Sequence, residues 1–410
     1  MVDVKRHFPP VNIYFALLCI YRLQGVIYPA GSIISKFILM LILLWSMISL
    51  YRVNTRYRIP FFFKATNIFL LFTTFYGVIL IISGQELYVT AGDVRQASNI
   101  DYLKNIYMSI LPIYFFYDNT RSGSVSINSI MVFTICLLLV GIVNYIHDMN
   151  EAIILANQIG SPIGAITSNI GYNFVALMPL LIFWNNKPLA QYVLLIVVMF
   201  FVIVCMKRGA ILIGGICFAY FLYTMYSRSR GRIRSAIFLL SIISLAALIY
   251  VVIGMIDNNA LFAYRVEQTM QGYTSQRDQL YKTFYNYFIS EHNLFRFLFG
   301  NGANATLKIG NNFAHNDWLE LAINNGIVGV ALYGWYFIAL YKDYKCLNKA
   351  HLQYSNVILM ALIIMFASSM FSMSYASLDK AISIALGFVL AQNSKNCVVS
   401  QKKVSPPYKR

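Results

Sequence analysis

The chain has 410 residues, 59% of them hydrophobic and 11% charged, with a formal net charge of +17 and a mean hydropathy of +0.63. A soluble domain carries about 25% charged residues, so an ordinary soluble fold is excluded. Continuous rather than alternating apolar runs also exclude a β-barrel. The expected architecture is all-α: a polytopic integral-membrane bundle forming a single domain over residues 1–410.

A run of about 20 apolar residues crosses a bilayer. Such runs fall at about 12–28, 33–51, 61–83, 103–117, 127–147, 170–184, 189–206, 210–226, 235–256, 318–341, 354–372 and 379–392, which gives about 12 transmembrane helices. Pro112 and Pro179 lie within two of them, where a membrane bundle tolerates a kink. The first run lacks a small-residue cleavage site and is interrupted by Arg22, so no cleavable signal peptide is expected. Cys19, Cys136, Cys205 and Cys217 sit in apolar runs, and Cys346 and Cys397 in basic segments. Without metal-type spacing or an outer-loop cysteine, neither disulfides nor a structural zinc is expected.

Charge divides the loops into two sets. With both termini on one side, that side holds Lys5, Arg6, Arg52, Arg56, Arg58, Arg121, Lys187, the arginines of the 228–234 run, Lys342, Lys345, Lys349 and the basic tail. Counting Lys64, this is 20 of the 32 basic residues against only three of the 15 acids, Asp3, Asp118 and Asp343. The positive-inside rule makes this side cytoplasmic. The basic runs then read as topology signals and contacts for anionic lipid, with no nucleic-acid groove. Four outer segments remain: Gly84–Lys104 with Glu86, Asp93, Arg95 and Asp101; Asp148–Asn169, whose Gly160-Ser161-Pro162 reads as a dip back into the bilayer; the turn Lys207-Arg208-Gly209; and the large loop over 257–317.

Three places in these outer segments break the composition rules. Lys207 and Arg208 are cations on the side where positive charge is disfavoured. Lys207 reads first as a lysine snorkelling to lipid headgroups. Arg208 precedes Gly209-Ala210 at a helix start, where amide dipoles and a planar guanidinium both suit an anion. Arg277 opens a stretch with Leu280, Phe284 and Phe288 at i, i+4, i+8, expected as an amphipathic helix lying on the bilayer surface; its alternative is a surface arginine paired with Asp278 or Glu267. Arg265 and Arg296 are weaker candidates of the same kind.

His315 precedes Asn316-Asp317-Trp318-Leu319-Glu320, in which Asp317 and Glu320 have capping-box spacing for a helix from about 318. The positive end of that helix favours a neutral imidazole able to accept a proton. The competing reading is a histidine that only caps or braces the loop. Phe299-Gly300-Asn301-Gly302 reads as a tight turn returning the amphipathic helix towards His315. Asn304-Ala305-Thr306 matches a glycosylation sequon, meaningful only in a secretory pathway. No nucleotide loop, catalytic carboxylate pair or His-Glu-x-x-His is present.

Arg208-Gly209-Ala210, Arg277 and the stretch FGNGANATLKIGNNFAHNDWLELAINNGIVGVALYG from Phe299 to Gly334 follow one another in order. Together they resemble the O-antigen polymerase and O-antigen ligase superfamily of bacterial envelope glycosyltransferases, whose pattern is G-x-G, then H-N-x-x-L, then G-x-x-G. The likeness is specific over about residues 200–340. It implies a GT-C-type, metal-independent, inverting transferase at the periplasmic face, without cofactor, whose donor is an undecaprenyl-pyrophosphate-linked oligosaccharide. By the resemblance, Arg208 and Arg277 hold the pyrophosphate and His315 activates the acceptor hydroxyl, with Lys207, Asn316 and Asp317 in support. The His-Asn-Asp-Trp-Leu-Glu form is closer to the polymerase and capsule-polymerase branch than to the ligase branch, which transfers to lipid A-core. Membrane lipids and a protein regulating chain length are the partners such an enzyme would meet. A flippase or transporter also has about 12 helices, but it commonly shows matched halves and mid-membrane charges; here only Arg22 lies clearly within a span.

Overall fold

Inside a bilayer the backbone must satisfy its own polar groups, which confines an open chain to helices. The computed structural model describes residues 10–82, 99–159, 168–258, 263, 266–267, 277–310, 312–350, 354–372 and 374–404. Among them the only strand-like pairing is an isolated bridge between Gln24 and Tyr28. The helices are α1 (Pro10–Arg22), α2 (Ile33–Arg56), α3 (Phe61–Ile82), α4 (Asn99–Arg121), α5 (Ile127–Ile159), α6 (Gly171–Leu181), α7 (Pro188–Val204), α8 (Arg208–Arg228), α9 (Gly231–Asn258), α10 (Arg277–Ile289), α11 (Leu294–Phe299), α12 (Ala305–Gly310), α13 (Asp317–Lys349), α14 (Ser355–Phe371) and α15 (Lys380–Val404).

Each apolar run of the sequence forms a helix. Six of those described are long and apolar enough to cross a membrane: α2, α3, α5, α8, α9 and α13. Helices α1, α6, α7, α14 and α15 are apolar but shorter. α6, α14 and α15 form much of the interior with α4; Gly387 of α15 lets that helix approach α4 so closely that a Cβ would meet the Ile113 carbonyl at 2.7 Å. Pro112 and Pro179 lie inside α4 and α6, and a short 3-10 turn, Ile182–Trp184, follows the second. Aromatic rings fill the remaining interior, as where Tyr14 stacks on Phe115 with centroids 3.6 Å apart.

Several boundaries differ from those read in the sequence. α1 ends at Arg22, whose guanidinium is gripped by Asp379 in two bonds of 2.8 and 3.3 Å, and the chain then turns at Gly25 (φ 93°). α5 continues to Ile159, so the start of the expected re-entrant segment is helical; Gly160-Ser161-Pro162 lies outside the described residues. Asp101 and Lys104 belong to α4, paired at 2.5 Å, whereas Glu86, Asp93 and Arg95 lie outside the described residues, as does Arg265.

The two ends of the bundle differ in chemistry. At one, Asp118 accepts from Tyr57 at 3.2 Å and meets Arg52 at 3.7 Å. Asp343 there accepts from the Phe61 and Phe62 amides at 3.2 and 2.8 Å, capping the first turn of α3. This end gathers described cations that charge patterning groups together. The opposite end collects the first turns of α6, α8, α13 and α15 together with α10–α12.

Candidate functional site

The chain between α7 and α8 turns through Met206, whose φ is 51°. Lys207 is the N-cap residue of α8 and Arg208 its first residue, so the expected three-residue outer turn is shorter and Arg208 lies on the helix. Both side chains are half-buried. Gly209 sits against Tyr172 and Phe371: a Cβ there would overlap the Tyr172 hydroxyl, at the far end of that side chain, and reach Phe371 Cβ at 3.7 Å. Gly171 brings α6 against the same turn, with Ala210 and Cys205 at 3.1 Å from its would-be Cβ.

Arg277 reaches this place from the other side. Its guanidinium donates to the Phe371 carbonyl at 3.2 Å. One turn on, the Tyr281 hydroxyl donates to the His315 carbonyl at 3.4 Å. Burial pushes the Tyr281 phenol above its ordinary range, while Arg277 and Asn316 beside it work in the opposite direction; it stays protonated at neutral pH. The apolar face of α10 does not lie on a lipid surface as expected. Phe284 is fully buried against Ala305, Ala314 and Ile323, with Leu280 and Phe288 beside it. Gly310 permits this, since a Cβ there would meet the Phe284 ring at 2.8 Å. An apolar stripe packs equally well on protein, and α12 and α13 supply that surface.

The segment from Phe299 to Gly326 is built around a broken helix. Gly326, at φ 68° and ψ −168°, interrupts α13 and exposes the carbonyls of the preceding turn. The glycine-rich turn caps them: the Asn301 amide donates to Ile323 O at 2.8 Å and the Gly302 amide to Asn324 O at 3.1 Å. Two glycines make the approach possible, because a Cβ on Gly300 would meet the Asn325 amide at 2.5 Å and one on Gly326 the Gly300 amide at 2.6 Å. Tyr76 and Tyr102 close the contact from α3 and α4, donating to Gly300 O at 3.1 Å and Asn325 Oδ1 at 2.6 Å. Asn304, the sequon asparagine, is buried here.

His315 stands immediately before the first half of α13, half-buried, with φ at 51°. The capping expected from Asp317 belongs to Asn316, whose Oδ1 accepts from the Trp318 and Leu319 amides at 3.0 and 3.2 Å. Its Nδ2 donates to Met370 O at 3.3 Å. Asp317 is the first helical residue and fully buried. It accepts from Tyr333 at 2.7 Å, from the Ser374 hydroxyl and amide at 2.6 and 2.8 Å, and from the Tyr375 amide at 3.0 Å. Glu320 does not reach back to the cap. It accepts from Thr306 at 2.5 Å, Asn324 at 3.0 Å and the Ala314 amide at 2.8 Å. Two buried carboxylates therefore anchor the backbone on either side of His315.

The three sequence marks thus meet through shared neighbours. Tyr172 and Phe371 lie against Gly209, Phe371 binds Arg277, and Tyr281 joins Arg277 to the His315 backbone. Arg296 is instead exposed on α11. Tyr172, Phe371, Ser374 and Tyr333 carry no local motif. Tyr281 was likewise missed, although its place at i+4 from Arg277 on one helical face is a local signal that could have found it.

No protein-family model matches the chain, and no curated protein does.

Among the described residues no group of three or more His, Cys, Asp or Glu is arranged to hold a metal ion. What the site offers is an arginine fork, a helix start beginning with a second arginine, and an imidazole ahead of another helix start. Helix starts and guanidinium forks both favour phosphate-like anions.

Proposed function

We propose that this chain is a GT-C-type bacterial polymerase of O-antigen, or of capsular or exopolysaccharide, with about 12 membrane crossings, both termini in the cytoplasm and its site at the periplasmic face of the inner membrane. It joins undecaprenyl-pyrophosphate-linked repeat units by inverting glycosyl transfer. The observation that carries this reading is the convergence of Arg277, the Arg208 turn and His315 through Tyr172, Tyr281 and Phe371. A left-handed histidine held by buried carboxylates on both sides supports it, because strained backbone concentrates at functional sites.

In this reaction the acceptor sugar hydroxyl loses its proton to the neutral imidazole of His315 as its oxygen attacks the donor's anomeric carbon. The bond from that carbon to the pyrophosphate oxygen breaks on the opposite side, inverting the centre. The electron pair leaves with the lipid pyrophosphate, whose charge Arg208 and Arg277 offset. Lys207 adds positive potential, and Asn316 and Asp317 act on the backbone of His315.

Reconstitution of the purified chain with lipid-linked repeat units and no other enzyme tests the proposal. Longer lipid-linked glycans are the expected product. Transfer onto core lipid A alone would make the chain a ligase, and lipid movement across the bilayer without transfer would make it a flippase.

A further inference from the structure

The end of the bundle opposite His315 holds a cavity that the reaction does not use. The turn after α6, the starts of α7 and α9 and the end of α8 border an open cavity of about 70 Å³. Its polar side is Asn185, Gln191, Thr224, Arg228 and Ser229, with Gln191 Nε2 donating to Leu181 O at 2.9 Å; Met225 and Ile237 form its apolar side.

The polar side is incomplete in a specific way. Asn185 Oδ1 is buried and receives no hydrogen bond, which is unfavourable unless a donor arrives. Ser229 and Thr224 spend their hydroxyl protons on Met225 O and Phe221 O, at 2.8 and 2.7 Å, so neither supplies it. Arg228 brings a planar guanidinium of the kind that matches phosphate oxygens. Around the cavity the field is positive and the rings are interfacial in type: Lys187 lies over Trp184 at 6.0 Å and Arg234 over Tyr226 at 4.2 Å.

Depth and surroundings identify the ligand class. α8 has 21 residues from Arg208 to Arg228, about 30 Å at 1.5 Å per residue, which is one hydrocarbon thickness. Arg228 therefore lies at the headgroup level of the other leaflet. Beside it stands α9, which contacts α7 and α8 and leaves Phe238, Leu239, Ile242 and Leu245 exposed to acyl chains. A phosphodiester meets Arg228, a headgroup hydroxyl supplies the donor that Asn185 lacks, and the acyl chains follow α9. We infer that this cavity binds an anionic glycerophospholipid with a hydroxyl-bearing headgroup, of the phosphatidylglycerol type.

Native mass spectrometry of the full chain in detergent, titrated with defined lipids, tests this. Phosphatidylglycerol is expected to bind about fivefold more tightly than phosphatidylmethanol, which keeps the charge and lacks the hydroxyl. Asn185→Leu should erase that preference. Arg228→Gln should weaken phosphatidylglycerol about tenfold; Arg228→Lys, which preserves the charge should the first variant misfold, should weaken it about threefold. Lys345→Gln, an exposed cation stacked on Tyr341 at 4.9 Å, should change nothing. Unchanged binding in both Arg228 variants, an equal loss in Lys345→Gln, or equal competition by soluble glycerol 1-phosphate would overturn the assignment.

Discussion

Gly326 is the most demanding single position in the His315 end of the molecule. Its φ of 68° and ψ of −168° fall in a region that side-chain-bearing residues occupy at a cost of about 1–3 kcal/mol. In Gly326→Ala the new Cβ overlaps the Leu298 carbonyl group and meets the Gly300 amide at 2.6 Å, so the capping turn must withdraw. That forfeits the bonds from the Asn301 and Gly302 amides, at about 0.5–1.5 kcal/mol each. The total is about 4 kcal/mol, a fall of roughly 5 °C in melting temperature. Intrinsic fluorescence during heating in detergent reads it, since Trp318 sits on the displaced half-helix with its indole bonded to Ser369 at 3.1 Å. Gly215→Ala is the control: its Cβ enters open space inside α8, so stability holds or rises slightly. Should Gly326→Ala melt within about 1 °C of the parent and still lengthen glycans, the reasoning from the helix break fails.

Four further outcomes are expected. His315→Gly relieves the left-handed strain, raising stability by about 1 kcal/mol while abolishing glycan lengthening; a stable variant with normal chain lengths would remove His315 from the chemistry. Glu320→Gln leaves one of the donors around it facing an amide N–H in a buried place, costing about 1–3 kcal/mol in denaturant unfolding, and the loosened Ala314 amide should lower transfer even when the protein remains folded. Tyr281→Phe should cost under about 1 kcal/mol and slow transfer several-fold; because the phenol lies above its ordinary range, the parent rate should show no inflection from it between pH 6 and about 9. Arg22→Ala removes the ion-pair partner of Asp379, leaving its carboxylate to the Ala381 amide, and should cost about 3–5 kcal/mol in thermal unfolding, whereas Arg22→Met with Asp379→Asn should recover most of it.

The helices were legible because continuous apolar runs leave the backbone one solution. The order of Arg208, Arg277 and His315 was legible too, and these residues lie in one neighbourhood. What the sequence hid was long-range or conformational. Residues 318–341 read as one smooth span, yet Gly326 breaks the helix, because the deciding contact comes from Gly300 across the fold. The destination of the α10 apolar face was ambiguous, since i, i+4, i+8 periodicity fits lipid and protein equally. Capping-box spacing pointed to Asp317, but burial drew that carboxylate to Ser374 and Tyr375 and left the cap to Asn316. Arg22 and Asp379 are 357 positions apart, beyond any local pattern.

The sparse packing of α9 bears on how the protein is made. With only 11% of its apolar window covered by protein and arginines at its start, α9 can partition into the bilayer as an autonomous hairpin partner of α8, in the first of the two stages by which membrane helices insert and then associate. α4 is its opposite: Asp101, Lys104, Asp118 and Arg121 flank or interrupt it, and α2 and α15 cover its sides. Because α15 is synthesised long after α4, α4 must await a partner far along the chain. Truncation before residue 380 should therefore leave α9 inserted and α4 exposed to membrane quality control, a difference readable by glycosylation-tag mapping of nascent chains.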